Sequence, residues 1–469
     1  MESKVTQAKE KKEQLFMQSK HSANRISAET QKQSDAFAAD YMAFLNASKT
    51  EREAAKNAAA LLEEKGFVSF TPDMKLQAGD KIYVNNRGKA IIAAVIGTAP
   101  ITEGVRLCAA HIDSPRLDMK QNPLYEDHEL AMFKTHYYGG IKKYQWTTIP
   151  MALHGVIVKA DGTKITVNIG EDEQDPVFCV SDLLPHLATE QMKRPLAQGV
   201  KGEELNLLVG SRPFLDGEES SAVKLNILHI LYEKYGITEA DFLSAELEAV
   251  PVSKARDVGF DRSMIGSYGH DDRVCAYTAL MATADCKDPR YTSVLVLTDK
   301  EETGSDGNTG LCSSYLQYFI ADLAAAFGQE ARTVLSHSRC LSADVNAAFD
   351  PTFPDVLDPR NAAFLNYGVV VTKFTGARGK SGTSDASAEF VATIRNLMDE
   401  NQIIWQTGEL GKVDMGGGGT VALYIANMDV DTIDVGVPVM SMHAPMEVVA
   451  KIDVYMAYKA FLAFISDKT

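Results

Sequence analysis

One stretch of this chain limits its fold more than any other, because it joins a strand-like apolar run to two adjacent carboxylates. Residues 294–298 read Val-Leu-Val-Leu-Thr, and Glu301 and Glu302 follow shortly after them. A continuous apolar run of this kind is typical of a strand that is covered on both faces in a parallel sheet. Open α/β sheets bind ligands at the carboxyl ends of such strands. We therefore expect an α/β fold with the glutamate pair at the ligand-binding edge of its sheet.

The glutamate pair itself indicates either a metal site or an ordinary loop. Like charges so close together raise each other's pKa unless a positive charge neutralises them, and a divalent metal ion would do so. One glutamate could then bind the metal ion while its neighbour accepts a proton from a water molecule at the metal. Taken alone, the stretch is more simply explained as two solvated glutamates at the start of a loop, because short motifs often match by chance.

Length, composition and charge exclude several classes of protein. A chain of 469 residues is too long for one ordinary hydrophobic core, so two or three domains are expected. Its 45% hydrophobic and 23% charged residues are those of a soluble globular protein, and no apolar run reaches the length of a transmembrane helix. The net charge of −16 argues against a nucleic-acid partner.

The N-terminus and the cysteines favour a cytoplasmic location. The first residues are charged and lack the apolar segment of a signal peptide. The six cysteines are scattered without a CxxC pair, which is typical of reduced thiols rather than of a disulfide framework or a zinc ribbon. We therefore predict a cytoplasmic protein without a membrane partner.

The pattern of elements predicts an α/β domain with an insertion. Helical spacing runs from residue 34 to 62, a hairpin is predicted over 81–97, and helices over 222–235 and 311–327. Between residues 114 and 254, strand signals follow one another with few helices, and the α/β pattern returns after residue 266. We expect a first part of the main domain over 1–113, an insertion over 114–254 and a second part over 255–469.

Acidic residues and histidines recur at the ends of the predicted strands or beside helix starts. A second apolar run, residues 105–110, delivers His111 and Asp113, which share one face if the strand continues. Each such residue alone has a plainer explanation, since a lone Asp is often a helix cap and a lone His is often structural. The further members of this set are Asp271, Asp272, Asp344 and His443.

Taken together, these residues match the ligand set of a co-catalytic zinc site. They comprise two histidines and several carboxylates without a thiolate, which suits hydrolytic zinc, with manganese or cobalt as alternatives. Two zinc ions in such a site share one bridging carboxylate. A glutamate that is not needed as a ligand can act as the general base.

The chain resembles the M18 metallopeptidases, the aspartyl-aminopeptidase family, in five sequence blocks. In chain order these are AHIDSPRLDMK, GHDDRVCAYTAL, DKEETGSDG, SADVNAA and SMHAPMEV. The resemblance covers nearly the whole chain, and the insertion after the first block also fits the family's layout. It implies a peptidase domain with a mixed sheet flanked by helices, interrupted by a β-rich dimerisation domain. It also implies self-association into dimers and a tetrahedral dodecamer, with peptides as substrates.

The resemblance further implies which residues bind two zinc ions per subunit. His111 and Asp344 would bind the first ion, and Glu302 and His443 the second. Asp271 would bridge the two ions, although the adjacent Asp272 is an alternative for that role.

Other roles follow from the same resemblance. Asp113 would orient His111 as a carboxylate behind the ligand, and Glu301 would be the general base for hydrolysis of the N-terminal residue. His186 resembles a histidine that a neighbouring subunit supplies to the active site, or it is structural. Lys373 would face the substrate side chain, or it is an ordinary surface lysine. The remaining substrate-binding candidates are Gly417 and Gly418, where the substrate backbone could approach closely.

Two other functions use the same residues. A co-catalytic zinc carboxypeptidase or deacylase would need the same ligand chemistry, and an assembly protein could keep the fold without the activity. The insertion and the intact ligand set favour the aminopeptidase. A preference for N-terminal Asp or Glu is suggested by the family's name alone.

Overall fold

The structure is a computed structural model that describes residues 2–17, 21–215 and 220–468. Within these ranges it contains eleven α-helices and twenty-one strands. The helices are α1 (Glu2–Leu15), α2 (Ala28–Ala47), α3 (Glu51–Glu64), α4 (Leu196–Gly199), α5 (Ala222–Tyr235), α6 (His270–Asp285), α7 (Tyr315–Ala326), α8 (Ala331–Ser336), α9 (Ala388–Glu400), α10 (Ala422–Ala426) and α11 (Lys451–Ser466).

The strands form sheets of nine, seven, three and two members. They are β1 (Val68–Ser69), β2 (Lys81–Asn86), β3 (Ala90–Val95), β4 (Val105–His111), β5 (Arg116–Asp127), β6 (Leu130–Tyr138), β7 (Met151–Val158), β8 (Lys164–Ile169), β9 (Cys179–Val180), β10 (Leu207–Gly210), β11 (Ala245–Pro251), β12 (Arg256–Val258), β13 (Met264–Ser267), β14 (Thr292–Thr298), β15 (Arg339–Ser342), β16 (Asn346–Ala347), β17 (Val369–Thr372), β18 (Trp405–Thr407), β19 (Asp431–Gly436), β20 (Pro438–Val439) and β21 (Glu447–Ala450).

The nine-stranded sheet has the order β1-β2-β3-β14-β4-β15-β19-β17-β18 and carries the predicted central strand near its middle. Every residue of β14 is buried, as its sequence predicts. It pairs in parallel with β4 and antiparallel with β3, so the sheet is mixed. The α/β fold with a mixed sheet flanked by helices is therefore confirmed.

Alternate residues of β14 enter two different hydrophobic cores. Leu295 and Leu297 pack into the core that contains α2, α3, α6 and α11, whereas Val294 and Val296 pack into the core that contains α7 and α10. This division follows from the alternation of side chains along a strand. A strand covered on both faces needs an apolar residue at every position, which explains the continuous run in the sequence.

The seven-stranded sheet is built entirely from residues 116–251. Its order is β8-β7-β11-β5-β6-β10-β9, and every pairing within it is antiparallel. It has a hydrophobic core of its own, to which α5 contributes. The domain limits at residues 113 and 254 stay predictions, but this sheet lies between them in the chain.

Several predicted elements agree with the structure and two need correction. The hairpin over 81–97 and the helix over 222–235 are both present. The helical run over 34–62 is two helices, because Thr50 starts α3 with a capping box that pairs its side chain with the backbone of Glu53 and the reverse. The helix predicted over 311–327 begins only at Tyr315.

The remaining expectations about class concern membranes and thiols. Among the described residues, no helix combines the length and the apolar character that crossing a bilayer requires. All six cysteines are free thiols.

Candidate active site

The candidate site lies where three neighbouring parallel strands end. Strands β4, β14 and β15 run parallel to one another, so their carboxyl ends meet at one edge of the nine-stranded sheet. His111 is the last residue of β4, Glu301 and Glu302 follow β14, and Asp344 follows β15. A short 3₁₀ turn, Glu301–Thr303, turns the chain at the end of β14. This arrangement fits the expectation that an α/β sheet binds its ligands at the carboxyl ends of its parallel strands.

Asp271 is placed between the two predicted histidine ligands. Its Oδ1 lies 3.1 Å from His111 Nε2, and its Oδ2 lies 3.1 Å from His443 Nε2. His443 Nε2 is also 3.6 Å from Glu302 Oε2. One carboxylate thus faces both imidazoles, as a bridging ligand would.

The ligand atoms fall into two overlapping groups, each with its atoms within 4.8 Å of one another. One group contains His111, Asp271 and Glu302, and the other contains His111, Asp272 and Asp344. Asp272 therefore lies among the candidate ligand atoms, and a role as a helix cap alone does not explain its position.

The carboxylates are crowded and largely hidden from water. Burial, and then the charge of Asp271, raise the pKa of Glu302 well above its usual range. Burial also raises the pKa of Glu301, to about 7, although His111 opposes the effect. Burial and the neighbouring Asp272 likewise raise the pKa of Asp344. Such a set is unfavourable unless positive charge neutralises it.

The histidines show the opposite balance. Burial lowers the pKa of His443, but the Asp271 carboxylate outweighs burial and raises that pKa to about 10. Burial also lowers the pKa of His111, while its hydrogen bonds with Asp113 and Asp271 raise the pKa well above the ordinary value. The carboxylates around the two imidazoles therefore create a strongly negative environment, and such an environment would also attract a cation.

The residues present fit divalent metal ions. Glu302 Oε1 and both carboxylate oxygens of Asp272 are buried without a hydrogen-bond partner. Buried acceptors of this kind are costly unless a cation or a donor meets them. Imidazole nitrogens and carboxylate oxygens are the ligands of hydrolytic zinc sites.

Asp113 does more than the sequence predicts. Asp113 places its backbone carbonyl oxygen 3.0 Å from His111 Nδ1 and its carboxylate 3.3 Å from the same nitrogen, which fits the expected orienting role. It also accepts hydrogen bonds from the backbone N–H groups of Glu301 and Glu302, at 3.1 and 3.2 Å, and from the Tyr138 hydroxyl at 2.8 Å. Asp113 thus contacts His111 through its backbone and side chain, and it holds the backbone of both glutamates through its carboxylate.

Glu447 makes a comparable pair of contacts, and the sequence reasoning missed it. The buried carboxylate accepts hydrogen bonds from the backbone N–H groups of His443, at 2.7 Å, and Asp271, at 3.1 Å. It stands four residues after His443 inside the block SMHAPMEV, so its position beside a candidate ligand was the available signal.

An open cleft of ≈ 370 Å³ leads to these groups. Gly417 and Gly418 line it, as expected of substrate-binding candidates. Gly417 has φ of +107°, and a Cβ there would come within 2.2 Å of the Gly376 carbonyl oxygen. The glycine is therefore required by backbone packing at the cleft wall, whatever the substrate does.

Asn346 also lines the cleft and was not predicted. Its Nδ2 donates to Thr372 Oγ1 at 2.9 Å, while its Oδ1 is buried without a partner. No sequence signal beyond its place two residues after Asp344 marked it.

Two predicted residues are not brought to the site by this chain. Lys373 is 45% exposed and forms an ion pair with Asp385, and it does not line the cleft. His186 lies in an exposed turn between β9 and α4. Neither contacts the metal-ligand candidates among the described residues.

Comparisons with known proteins identify the family. A family model described as "Aminopeptidase I zinc metalloprotease (M18)" matches residues 44–465. A "Probable M18 family aminopeptidase 1" from Clostridium acetobutylicum is 50% identical over 432 residues, which cover 90% of this chain and 93% of that one. The crystal structure of an M18 aminopeptidase from Thermotoga maritima has a TM-score of 0.92 at 45% identity and covers 96% of this chain and 100% of that one.

A more distant structure shares the fold alone. The mApe1 dodecamer from S. cerevisiae is 20% identical, with a TM-score of 0.74, and covers 91% of this chain and 96% of that one. The family match over residues 44–465 includes the strands, turns and helices that carry the candidate site. This chain therefore belongs to the M18 family of zinc metalloproteases and is an aminopeptidase.

Proposed function

We propose that each subunit binds two zinc ions, with His111 and Asp344 on one ion, Glu302 and His443 on the other, and Asp271 between them. The observation that carries the proposal is that the two oxygens of Asp271 each lie 3.1 Å from a different histidine. A carboxylate in that position can serve two cations at once. Manganese or cobalt would suit the same donors.

Glu301 is the general base of the proposed mechanism. Bound zinc would polarise the scissile carbonyl and make water more acidic. The Glu301 carboxylate lines the cleft, and its Oε2 lies 3.8 Å from His111 Nε2. Asp113 holds the Glu301 backbone N–H, and the Glu301 side chain is therefore left free to face the reacting water. Glu301 accepts a proton from water and then returns it to the amine that leaves.

The proposed substrates are peptides with a free N-terminus, and acidic N-terminal residues are the candidates for preference. Lys373 is the candidate partner for an acidic side chain because it is close in the chain to Thr375, which lines the cleft. Asp385 holds the Lys373 ammonium in the structure, so an acidic substrate would compete with this carboxylate. Burying an unpaired substrate carboxylate would otherwise be costly.

A panel of substrates tests the proposed function. Free aminoacyl and matched N-acetylated peptides are compared with and without a zinc chelator, and the zinc content per subunit is measured. We expect hydrolysis of free N-termini alone, loss of activity with chelator and about two zinc ions per subunit. Cleavage of the acetylated peptides, or full activity with one zinc ion, contradicts the proposal.

We further propose that subunits associate and that His186 acts in the site of a neighbour. Its exposed position in a turn leaves it accessible to another subunit, and a distant relative of the same fold forms a dodecamer. Inactive Glu301→Gln subunits mixed with inactive His186→Ala subunits would then recover activity. No recovery despite demonstrated mixing removes His186 from the neighbouring site, and a fully active monomer in light scattering removes the assembly as well.

The location of the protein stays a prediction. Six free thiols are what a reducing compartment maintains, which supports the cytoplasm.

A further inference from the structure

The segment 138–140 of the inserted sheet reaches the candidate site from outside the peptidase sheet. Tyr138 is the last residue of β6, and Gly139 and Gly140 follow it. None of the three is a candidate zinc ligand, yet Tyr138 and Gly140 each make a hydrogen bond with a candidate ligand or with a residue that supports one. Tyr138 contacts Asp113 and Gly140 contacts His443, while a Cβ built at Gly139 would meet Glu302.

Tyr138 holds the carboxylate on which the glutamate turn depends. Its hydroxyl donates to Asp113 Oδ2 at 2.8 Å, and the same oxygen accepts from the Glu302 backbone N–H. Burial, and then the charge of Asp113, raise the pKa of the Tyr138 hydroxyl, so it keeps the proton it donates. The Arg116 guanidinium lies 4.0 Å from the centre of the Tyr138 ring, which fixes the ring from behind.

Arg116 is itself fixed by three carboxylates from two parts of the chain. It lies 3.2 Å from Glu51 on α3, 2.8 Å from Asp118 on β5 and 3.3 Å from Glu248 on β11. Glu51 and Glu248 are both buried. The Tyr138 ring therefore rests on a charge network that ties the inserted sheet to a helix of the peptidase domain.

The two glycines complete the contact. The Gly140 carbonyl oxygen lies 2.7 Å from His443 Nδ1 and can accept a hydrogen bond from an Nδ1–H group, which would leave Nε2 to face Asp271. Gly139 has φ of +76°, and a Cβ there would lie 3.1 Å from Glu302 Oε2 and 3.2 Å from Pro115 Cγ. A side chain at that position would press on a candidate ligand.

We propose that the segment 138–140 of the inserted sheet is a positioning element of the zinc site, which fixes Asp113 and His443 and through them the metal ligands. This inference rests on the proposed zinc function. Residues behind metal ligands typically contribute 10- to 100-fold to metal affinity or activity, so a measurable effect is expected from each contact.

The first test is Tyr138→Phe, which removes only the hydroxyl and keeps the ring beside Arg116. Zinc affinity is measured by chelator competition, independently of activity. We expect binding about 10-fold weaker than in the wild type and a fall in kcat with little change in KM. Tyr125→Phe is the matched control, because its hydroxyl has no hydrogen bond among the described residues. Wild-type zinc affinity and kcat in Tyr138→Phe overturn the proposal.

A double-mutant cycle separates positioning from general destabilisation. If Tyr138 acts through the Asp113 carboxylate, then Tyr138→Phe should weaken zinc binding much less in an Asp113→Ala background, which has no side-chain acceptor, than alone. Equal effects in both backgrounds overturn the proposed route. A wild-type protein that binds no zinc would instead contradict the underlying zinc function, so the two failures are distinguishable.

A glycine pair gives a second, independent test. Gly139→Ala and Gly162→Ala place alanine at similar positive φ values, +76° and +86°, but a Cβ at Gly162 has no atom within 4 Å. Both variants carry the same kind of backbone cost. We expect weaker zinc binding only in Gly139→Ala. Equal zinc affinity in the two variants overturns the role of this segment.

Discussion

Replacing Glu301 by glutamine should separate catalysis from metal binding. The side chain is 17% exposed, and the backbone N–H that donates to Asp113 is unchanged by the substitution. Glutamine has nearly the same shape but cannot accept the proton from water. The variant should therefore keep its fold and the proposed zinc ions while it loses the proposed general base.

The expected loss follows from what a general base contributes. Such groups account for about 10²- to 10⁴-fold in rate, so kcat should fall by at least about 10²-fold. That corresponds to roughly 3–5 kcal/mol in the activation barrier, at ~1.4 kcal/mol per tenfold. KM should change much less, since the lost interaction belongs to the transition state.

The assay combines turnover with metal analysis. kcat is measured on an aminoacyl substrate, and zinc per subunit is measured on the same preparation. Glu302→Gln is the control, because the loss of a proposed ligand should lower the zinc content as well as the rate. Near wild-type turnover by zinc-loaded Glu301→Gln would refute the base assignment. Loss of zinc in Glu301→Gln with full zinc in Glu302→Gln would exchange the two roles.

Three further predictions concern the bridge, specificity and pH. Asp271→Asn should lower zinc content far more than Asp272→Asn, since only Asp271 faces both histidines; the reverse result in metal analysis would exchange them. Lys373→Ala should lower kcat/KM for N-terminal Asp or Glu and spare Leu or Ala, and equal losses on all four would make the lysine structural. Burial lowers the pKa of His154, but hydrogen bonds with Glu171 and Glu53 outweigh burial and raise that pKa. The contribution of His154 to the unfolding free energy is therefore full below about pH 6.5 and is lost as the pH rises through the pKa of the folded state. The difference in unfolding free energy between wild type and His154→Gln should accordingly shrink from pH 6 to pH 9, and a difference that grows would contradict this sign.

The parts of the site that could be predicted from sequence are those fixed by strand ends. His111, Glu301, Glu302 and Asp344 each follow an apolar run, and parallel pairing brings the ends of those runs to one edge. The strand order did not have to be known for that inference. Composition and spacing alone did not distinguish Asp271 from Asp272. The family resemblance favoured Asp271, and its distances to two histidines support that choice.

Other features depend on contacts between residues that are far apart in the sequence, and no local sequence pattern predicts such contacts. The contacts of Asp113 with the Glu301 and Glu302 backbones exist because the ends of β4 and β14 lie side by side. The ion pair between Lys373 and Asp385 depends on the course of the loop after β17. The break between α2 and α3 was different, because Thr50 and Glu53 already form a capping-box pattern in the sequence.

The pairing register of strands β5 and β6 connects the local sequence pattern with the geometry of the candidate site. Strands β5 and β6 pair Arg116 with Tyr138, and β5 begins only three residues after Asp113. A slip of one residue would turn the Tyr138 side chain to the opposite face of the sheet and remove its hydroxyl from Asp113. The buried carboxylates around Arg116 oppose such a slip, because it would leave several charges without partners. The pairing that holds the inserted sheet together is thus also what sets the distance from Tyr138 to Asp113, and changes to this hairpin should be felt at the candidate zinc ligands.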